Sequence, residues 1–386
     1  MKLVLEPRPQ PSRLWSALSP LLALLLTMLL GAVLFGLSGT SPLQGLAVFF
    51  VEPLKNAYAW GEIALKATPL LLIALGLGLC FRSNIWNIGA EGQFVLGAIA
   101  SGWVALQAQP GSGPGFIVLI LLAGSLGGMA WAAIVALLRD RFNTNEILVS
   151  LMLVYVAIQL LNYLVYGPWK DPAGYNFPRT ASFDTATQLP RLMSGARANA
   201  GLWLALAACA LMWLFMFRTR AGFAQQVGGL APAAARYAGF PARRALWTAL
   251  LLSGALAGLA GALDVIGPVG QLNPQIPVGY GFTAIIVAFV GRLHPVGMVF
   301  SSVLLSMLVI GGELSQSQLG LPKSLSNVFQ GLLLFCLLAC DTLINYRLRL
   351  KRAPVDGTAT PASATAPNPA AHVATGAATT SAHQGL

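Results

Sequence analysis

Residues 81–98 read FRSNIWNIGAEGQFVLGA and set Asn84, Asn87, Glu91 and Gln93 inside a stretch that is otherwise membrane material. Carboxylate and amide groups find no water at bilayer depth, where a central Asp or Lys costs roughly 2.5–3.5 kcal/mol. They persist where they face a bundle interior or a water-filled path, so a translocation pathway is one reading of this stretch. Asn and Gln also hydrogen-bond between packed helices, and adhesion of neighbouring spans is the other.

The composition around this stretch fixes the class. Of 386 residues, 56% are hydrophobic and only 9% charged, against about 25% charged in a soluble domain. The mean hydropathy is +0.72. Apolar stretches near 20 residues, enough to cross about 30 Å of hydrocarbon, recur along the chain. Backbone groups in lipid must be satisfied internally, which leaves helices or a closed barrel. Unbroken runs such as Leu21–Leu37 lack the alternation of barrel strands. The expected fold is all-α: a polytopic integral membrane helix bundle of about 10 transmembrane segments, with broken helices and an internal repeat.

Ten spans fit the pattern, near 14–37, 61–81, 86–106, 115–138, 146–166, 201–217, 246–266, 281–291, 295–312 and 323–343. The eighth is too short to cross alone and ends at Gly291-Arg292-Leu293-His294-Pro295, a break of the kind found in discontinuous helices. Residues 43–60 are expected to lie along the outer interface, with Tyr58 and Trp60 at headgroup level. The first apolar run, from Leu14 to Leu37, is far longer than the 7–15 residues of a signal peptide, so it reads as an uncleaved span. With the amino terminus inside, sixteen of the 23 Lys and Arg residues fall on the inner side, as the positive-inside rule requires. The expected organisation is a cytoplasmic segment 1–13, a membrane domain 14–345 and a cytoplasmic, mostly disordered tail 346–386. Two loops interrupt the domain: an outer one at 167–200, stiffened by prolines, and a basic inner one at 218–245. Gly124 with Gly128, and Gly254 with Gly258, have the four-residue spacing that lets helix backbones approach closely.

Several functions are excluded. The net charge of +11 sits at helix ends and so does not indicate nucleic acid. The four cysteines, Cys80, Cys209, Cys336 and Cys340, all lie in apolar segments without a second ligand pair, and read as small hydrophobes rather than metal ligands. His294, His372 and His383 are scattered, and no lysine follows a glycine in a phosphate-binding loop, so neither a catalytic set nor ATP hydrolysis is expected of this chain. In the inner loop, Gly228–Pro232 forms a turn, and Ala233–Gly239 reads as a short helix closed by a glycine cap. It suits either a seat in a partner's groove or an ordinary connector.

NIWNIGAEGQFVLGA (84–98), NEILVSLML (145–153), YGPWKDP (166–172), AARYAGF (234–240), SGALAGLAGAL (253–263) and GYGFTAIIVAFVGRLHPVG (279–297) occur in that order. Together they resemble permease subunits of bacterial ABC importers, in the branch serving simple sugars and nucleosides, over about residues 60–345. The resemblance implies an inner-membrane protein, and the Lys and Arg distribution puts both its termini in the cytoplasm. Its implied partners are an ABC ATPase subunit, a second permease in a heterodimer and a periplasmic or lipid-anchored substrate-binding protein. ATP and Mg belong to the partner ATPase, so no cofactor is expected on this chain. In such importers a cytoplasmic coupling helix of pattern Glu-Ala-Ala-x-x-x-Gly docks on the ATPase. Ala234, Ala235 and Gly239 match it, with Arg236 and Tyr237 between them; Ala233 stands where the pattern has Glu, leaving Arg236 or Arg243 for the polar contact.

The expected path residues are Asn84, Asn87, Glu91 and Gln93, with Asn87 and Glu91 four apart on one helix face and Asn162 and Thr283 added. Amides and few charges suit a neutral, hydroxyl-rich solute; the NIGAEGQ form resembles the nucleoside branch, and simple sugars come second. Glu91→Gln is then expected to impair uptake at unchanged membrane abundance. An ion-coupled secondary transporter, with Glu91 and Asp264 as carriers, is the alternative. A non-transporting scaffold is a third reading, at odds with the buried polar cluster.

Overall fold

A computed structural model describes residues 2–7, 13–109, 113, 115–192, 197–322 and 324–351, in two units. The smaller is a two-stranded ribbon in which β1 (Lys2–Pro7) runs antiparallel to β2 (Tyr346–Lys351), with Lys2 opposite Lys351 and Pro7 opposite Tyr346. Residues 346–351 open the segment expected as a cytoplasmic, mostly disordered tail. The alternation Arg347-Leu348-Arg349-Leu350 carries the period-two pattern of a strand instead. Residues 352–386, the rest of the expected tail, lie outside the described residues.

The larger unit is the helix bundle. It begins with α1 (Arg13–Leu37), short helices α2 (Pro42–Leu46) and α3 (Glu52–Lys55) flanking a π-helical turn at Ala47–Val51, then α4 (Ala57–Arg82), α5 (Ala90–Ala105), α6 (Gly115–Phe142) and α7 (Glu146–Tyr166). It continues with α8 (Gly201–Arg218), α9 (Arg220–Leu230), α10 (Pro232–Tyr237), α11 (Ala242–Asp264), a second π-helical turn at Val265–Val269, α12 (Tyr280–Val290), α13 (Pro295–Leu319) and α14 (Leu325–Asn345). Among the described residues eight helices are long and apolar enough to cross a membrane. The 16-residue α5 and 11-residue α12 complete the expected ten. At 1.5 Å per residue α12 covers only about 16 Å, half the hydrocarbon thickness.

Burial follows apolar patterning. In α4 every residue from Ala67 to Phe81 is buried, as an all-round apolar helix must be when its neighbours surround it. In α6 only the stripe Ile120, Gly124, Gly128, Ala132, Val135 and Ala136 is buried. That stripe meets α11. A Cβ on Gly258 would sit 2.2 Å from the Gly124 carbonyl oxygen, and one on Gly128 2.3 Å from that of Gly254. The two glycine pairs therefore pack against each other, with Gly97 of α5 closing on Gly258 from a third side.

The expectation for residues 43–60 needs correction. Tyr58 and Trp60 are exposed, but Val48, Phe49 and Phe50 are buried. Phe49 stacks on Phe329 of α14 at 4.3 Å between ring centroids and meets Phe35 of α1 edge-on at 6.2 Å. Three consecutive large apolar side chains gain more from this aromatic cluster than from the headgroup layer. The segment dips into the bundle instead of lying along it.

Candidate functional site

The polar stretch at 84–93 sits where the chain leaves α4 and re-enters as α5. Asn84 takes a left-handed backbone (φ 55°) just beyond the end of α4, where its side chain is exposed and its Oδ1 accepts from Trp86 Nε1 at 3.3 Å. Residues 85–88 have no regular secondary structure, and α5 begins only at Ala90. Asn87 therefore precedes the helix and shares no helical face with Glu91, contrary to the spacing argument. Its fully buried side chain closes a reciprocal pair with Gln93: Asn87 Nδ2 donates to Gln93 Oε1 at 3.0 Å, and Gln93 Nε2 donates back to Asn87 Oδ1 at 3.1 Å. Asn87 Nδ2 also donates to Ser253 Oγ of α11 at 3.0 Å, and Asn87 Oδ1 accepts from Gly89 N. This network joins the break to α11. Gln93→Leu removes one partner from each end of the Asn87 amide, leaving only Ser253 and Gly89 N on it, and is expected to cost about 1 kcal/mol, read as a lower melting temperature of the purified protein.

Glu91 does something different. It is 1% exposed. One carboxylate oxygen accepts from Gly279 N at 2.8 Å, and the other accepts from Gly281 N. Gly279 is the N-cap residue of α12, in a left-handed conformation (φ 89°), and offers no side chain to bind the orphan N–H groups of that helix. Glu91 supplies the cap from another helix. It also lies in the first turn of α5, so one carboxylate meets the positive ends of two helices. Only glycine fits at 281, since a Cβ there would stand 2.3 Å from Glu91 N.

The remaining expected path residues separate. Thr283, in the first turn of α12, donates to Gln330 of α14 at 2.9 Å. Asn162 bonds Gln159 within α7 at 3.3 Å, away from the break. Long helix, break and short helix recur as α4–α5 and α11–α12. Glu62 at the start of α4 and Asp264 at the end of α11 line one cavity. The two copies thus run in opposite senses, and the short helices meet at Glu91, the arrangement of an inverted repeat.

One feature escapes the sequence reading. Where the start of α4 approaches the end of α11, Glu62, Lys66, Arg197, Asp264 and Tyr280 surround a cavity of about 210 Å³. Hydropathy starts the second span at 61 and so leaves Glu62 and Lys66 at its edge, but α4 starts at Ala57 and carries both inward. Their i, i+4 spacing on one face was the available signal.

In the basic loop at 218–245, α9 is tied to the bundle through Gln225, whose Oε1 accepts from Ser83 Oγ at 2.6 Å and whose Nε2 donates to the Ala245 carbonyl at 3.1 Å. The following α10 stands clear: only Ala235 is buried, while Ala234, Arg236 and Tyr237 are exposed, Tyr237 to 97%. Gly239 closes it at φ 78° with open space around its Cα. Arg243 pairs with Asp140 at 2.7 Å, an oxygen that Trp247 also binds, so of the two candidate arginines Arg236 is the one on α10 itself. Nearby, Arg82 donates to the Leu293 carbonyl at 2.8 Å and lies 4.8 Å over the Phe217 ring, which also packs on His294. Burial, aided by the Arg82 charge, holds the His294 imidazole below its ordinary value. Among the described residues no group of three His, Cys, Asp or Glu side chains is placed to hold a metal ion.

Residues 60–338 match the family described as branched-chain amino acid transport system / permease component. The chain belongs to this family. The permease is 33% identical to the glucose ABC transporter permease protein TsgB13 of Haloferax volcanii, over 93% of its own length and 98% of the relative's. It is 31% identical to the guanosine ABC transporter permease protein NupP of Bacillus subtilis, over 82% of its own length and 91% of the relative's. Among solved structures, a chain of a metal-chelate type ABC transporter in an inward-facing conformation matches with 17% identity and a TM-score of 0.44, covering 82% of the permease and 97% of that chain.

Proposed function

We propose that the permease is a membrane subunit of an ABC importer in the bacterial inner membrane, carrying nucleosides, with simple sugars as the second substrate class. The observation that carries this reading is the near full-length similarity to permeases named for glucose and for guanosine. Both are ABC permeases, which favours this reading over ion-coupled transport. The permease has no catalytic role of its own in this scheme. ATP and Mg are used by an ABC ATPase on the cytoplasmic side, a second permease completes the membrane pore as a heterodimer, and a periplasmic or lipid-anchored binding protein delivers solute. Ten crossings and the distribution of Lys and Arg support two cytoplasmic termini.

In this scheme α10 is the coupling helix. Its exposed faces around Ala234, Arg236 and Tyr237 suit a groove on the ATPase, while Ala235 keeps it against the bundle. Closure of the ATPases on ATP draws the coupling helices together and turns the bundle outward; hydrolysis resets it. Such coupling requires the two states to contact the ATPase differently. Gly239→Trp places a bulky side chain at a left-handed position and redirects the end of α10. Uptake should be lost while the amount of permease in the membrane stays near wild type; unchanged uptake refutes the coupling role.

The class is tested by uptake of labelled guanosine and glucose in cells carrying or lacking the permease. Import that stops on ATP depletion and survives a proton ionophore is expected. The opposite pattern overturns the reading.

A further inference from the structure

The cavity between α4 and α11 has features of a ligand site that its surroundings alone do not explain. Both cations on its wall are already engaged: Lys66 Nζ pairs with Glu313 at 3.0 Å, and Arg197 reaches one Glu62 oxygen at 3.5 Å. The other Glu62 oxygen is buried and has no hydrogen-bond partner. A buried carboxylate oxygen without a donor is costly, and Glu62 lines an open space, where a turn of its carboxylate brings that oxygen to a ligand's hydroxyl. With Glu313 on Lys66, the carboxylates of Glu62, Asp264 and Glu313 outnumber the two cations, so an anion is disfavoured there. Leu65, Val269, Ile276 and Val278 add an apolar wall. The volume, about 210 Å³, is below the ~300–1,000 Å³ of pockets for drug-sized ligands and suits one ring with its hydroxyl groups.

Access and output are also in place. Asn273 and Gln275 are shared with a wider concavity of about 510 Å³ beside Tyr166 and Phe177 of α7 and the outer loop. Tyr280, on the wall of the smaller cavity, lies between Gly279 and Gly281, whose N–H groups Glu91 holds.

We propose that this cavity is a solute seat within the permease itself, taking a neutral polyhydroxylated ring: a hexose, or the ribosyl ring of a nucleoside. The seat accepts ligand hydroxyls on Glu62 and packs the ring face on the apolar wall. It rests on the import reading, whose solutes carry such rings. By filling, it loads the first turn of α12 and so reports to the break.

The test uses the intact permease–ATPase complex in lipid nanodiscs without binding protein, with labelled guanosine, ribose, glucose and gluconate as probes. Wild type should retain at least one of the three neutral probes and not gluconate. Which neutral probe is retained distinguishes a nucleoside source from a free sugar, and either supports the seat. Glu62→Gln keeps the shape but loses the charged acceptor, and should weaken retention about tenfold. Val278→Trp fills the space from an exposed rim position without disturbing buried packing, and should abolish retention. No retention by wild type, equal retention by both variants, or gluconate retained as well as glucose overturns the proposal. Stimulation of ATP hydrolysis by loaded binding protein, measured on the wild-type complex, tests the import reading separately. Its absence removes that reading and leaves the retention result to decide the seat.

Discussion

Gly258→Ala should cut the amount of permease in the membrane several-fold. One added methyl is the smallest possible insult, yet here its carbon would lie 2.2 Å from the Gly124 carbonyl oxygen and 2.9 Å from the Gly128 nitrogen and Cα. The obstructing atoms are backbone, so no rotamer change relieves them, and α5 approaches the same residue through Gly97. Overpacking typically costs about 1–3 kcal/mol and sometimes more. At a crossing of three helices the upper part of that range applies, since α6 must be displaced along its whole packed stripe. A several-fold fall in membrane abundance and a lower melting temperature are the expected results, with Gly258→Leu abolishing accumulation altogether. Gly331→Ala is the matched control: that glycine is exposed on α14 with nothing within 4 Å of its would-be Cβ. Equal behaviour of the two alanine variants would show that the helices do not approach here as described.

The second large effect belongs to Glu91. Glu91→Ala removes the cap from α12 and leaves the N–H groups of Gly279 and Gly281 without their acceptor inside the bundle. Hydrogen bonds to charged groups contribute about 1.5–3 kcal/mol each, so a loss on the order of 3 kcal/mol or more follows. Glu91→Gln is not a gentle substitute. Only one of its two terminal atoms accepts, so its NH₂ faces one of the two backbone donors. The order of melting temperatures should be wild type, then Gln, then Ala, with uptake per molecule falling in the same order. A role confined to the path would instead leave stability untouched in the Gln variant, as the sequence suggests. Wild-type melting of Glu91→Gln would remove the capping role.

That difference marks where legibility ends. The long helices follow directly from apolar runs, because membrane insertion depends on composition over about 20 residues. The glycine pairs were legible too, and their partners proved to be each other. The function of individual polar residues was not. Asn87 and Glu91 look equivalent by spacing, yet one joins a side-chain network of Gln93 and, 166 residues on, Ser253, while the other reaches a backbone 188 residues away. No local pattern encodes a partner that distant. The cavity at Glu62 and Lys66 was hidden for a simpler reason: charged residues near a span's end are ordinary at an interface, and only the tertiary approach of α11 turns them inward. The ribbon at 2–7 and 346–351 escaped because its charges outweighed its alternation.

The four thiols of the chain, at Cys80, Cys209, Cys336 and Cys340, are all buried and unbridged. A maleimide applied to either side of the membrane therefore meets no native target on the folded permease. A single cysteine placed on α10 or at the rim of the outer cavity would be the sole reactive handle, and its rate of alkylation would report which way the bundle faces at each stage of the cycle.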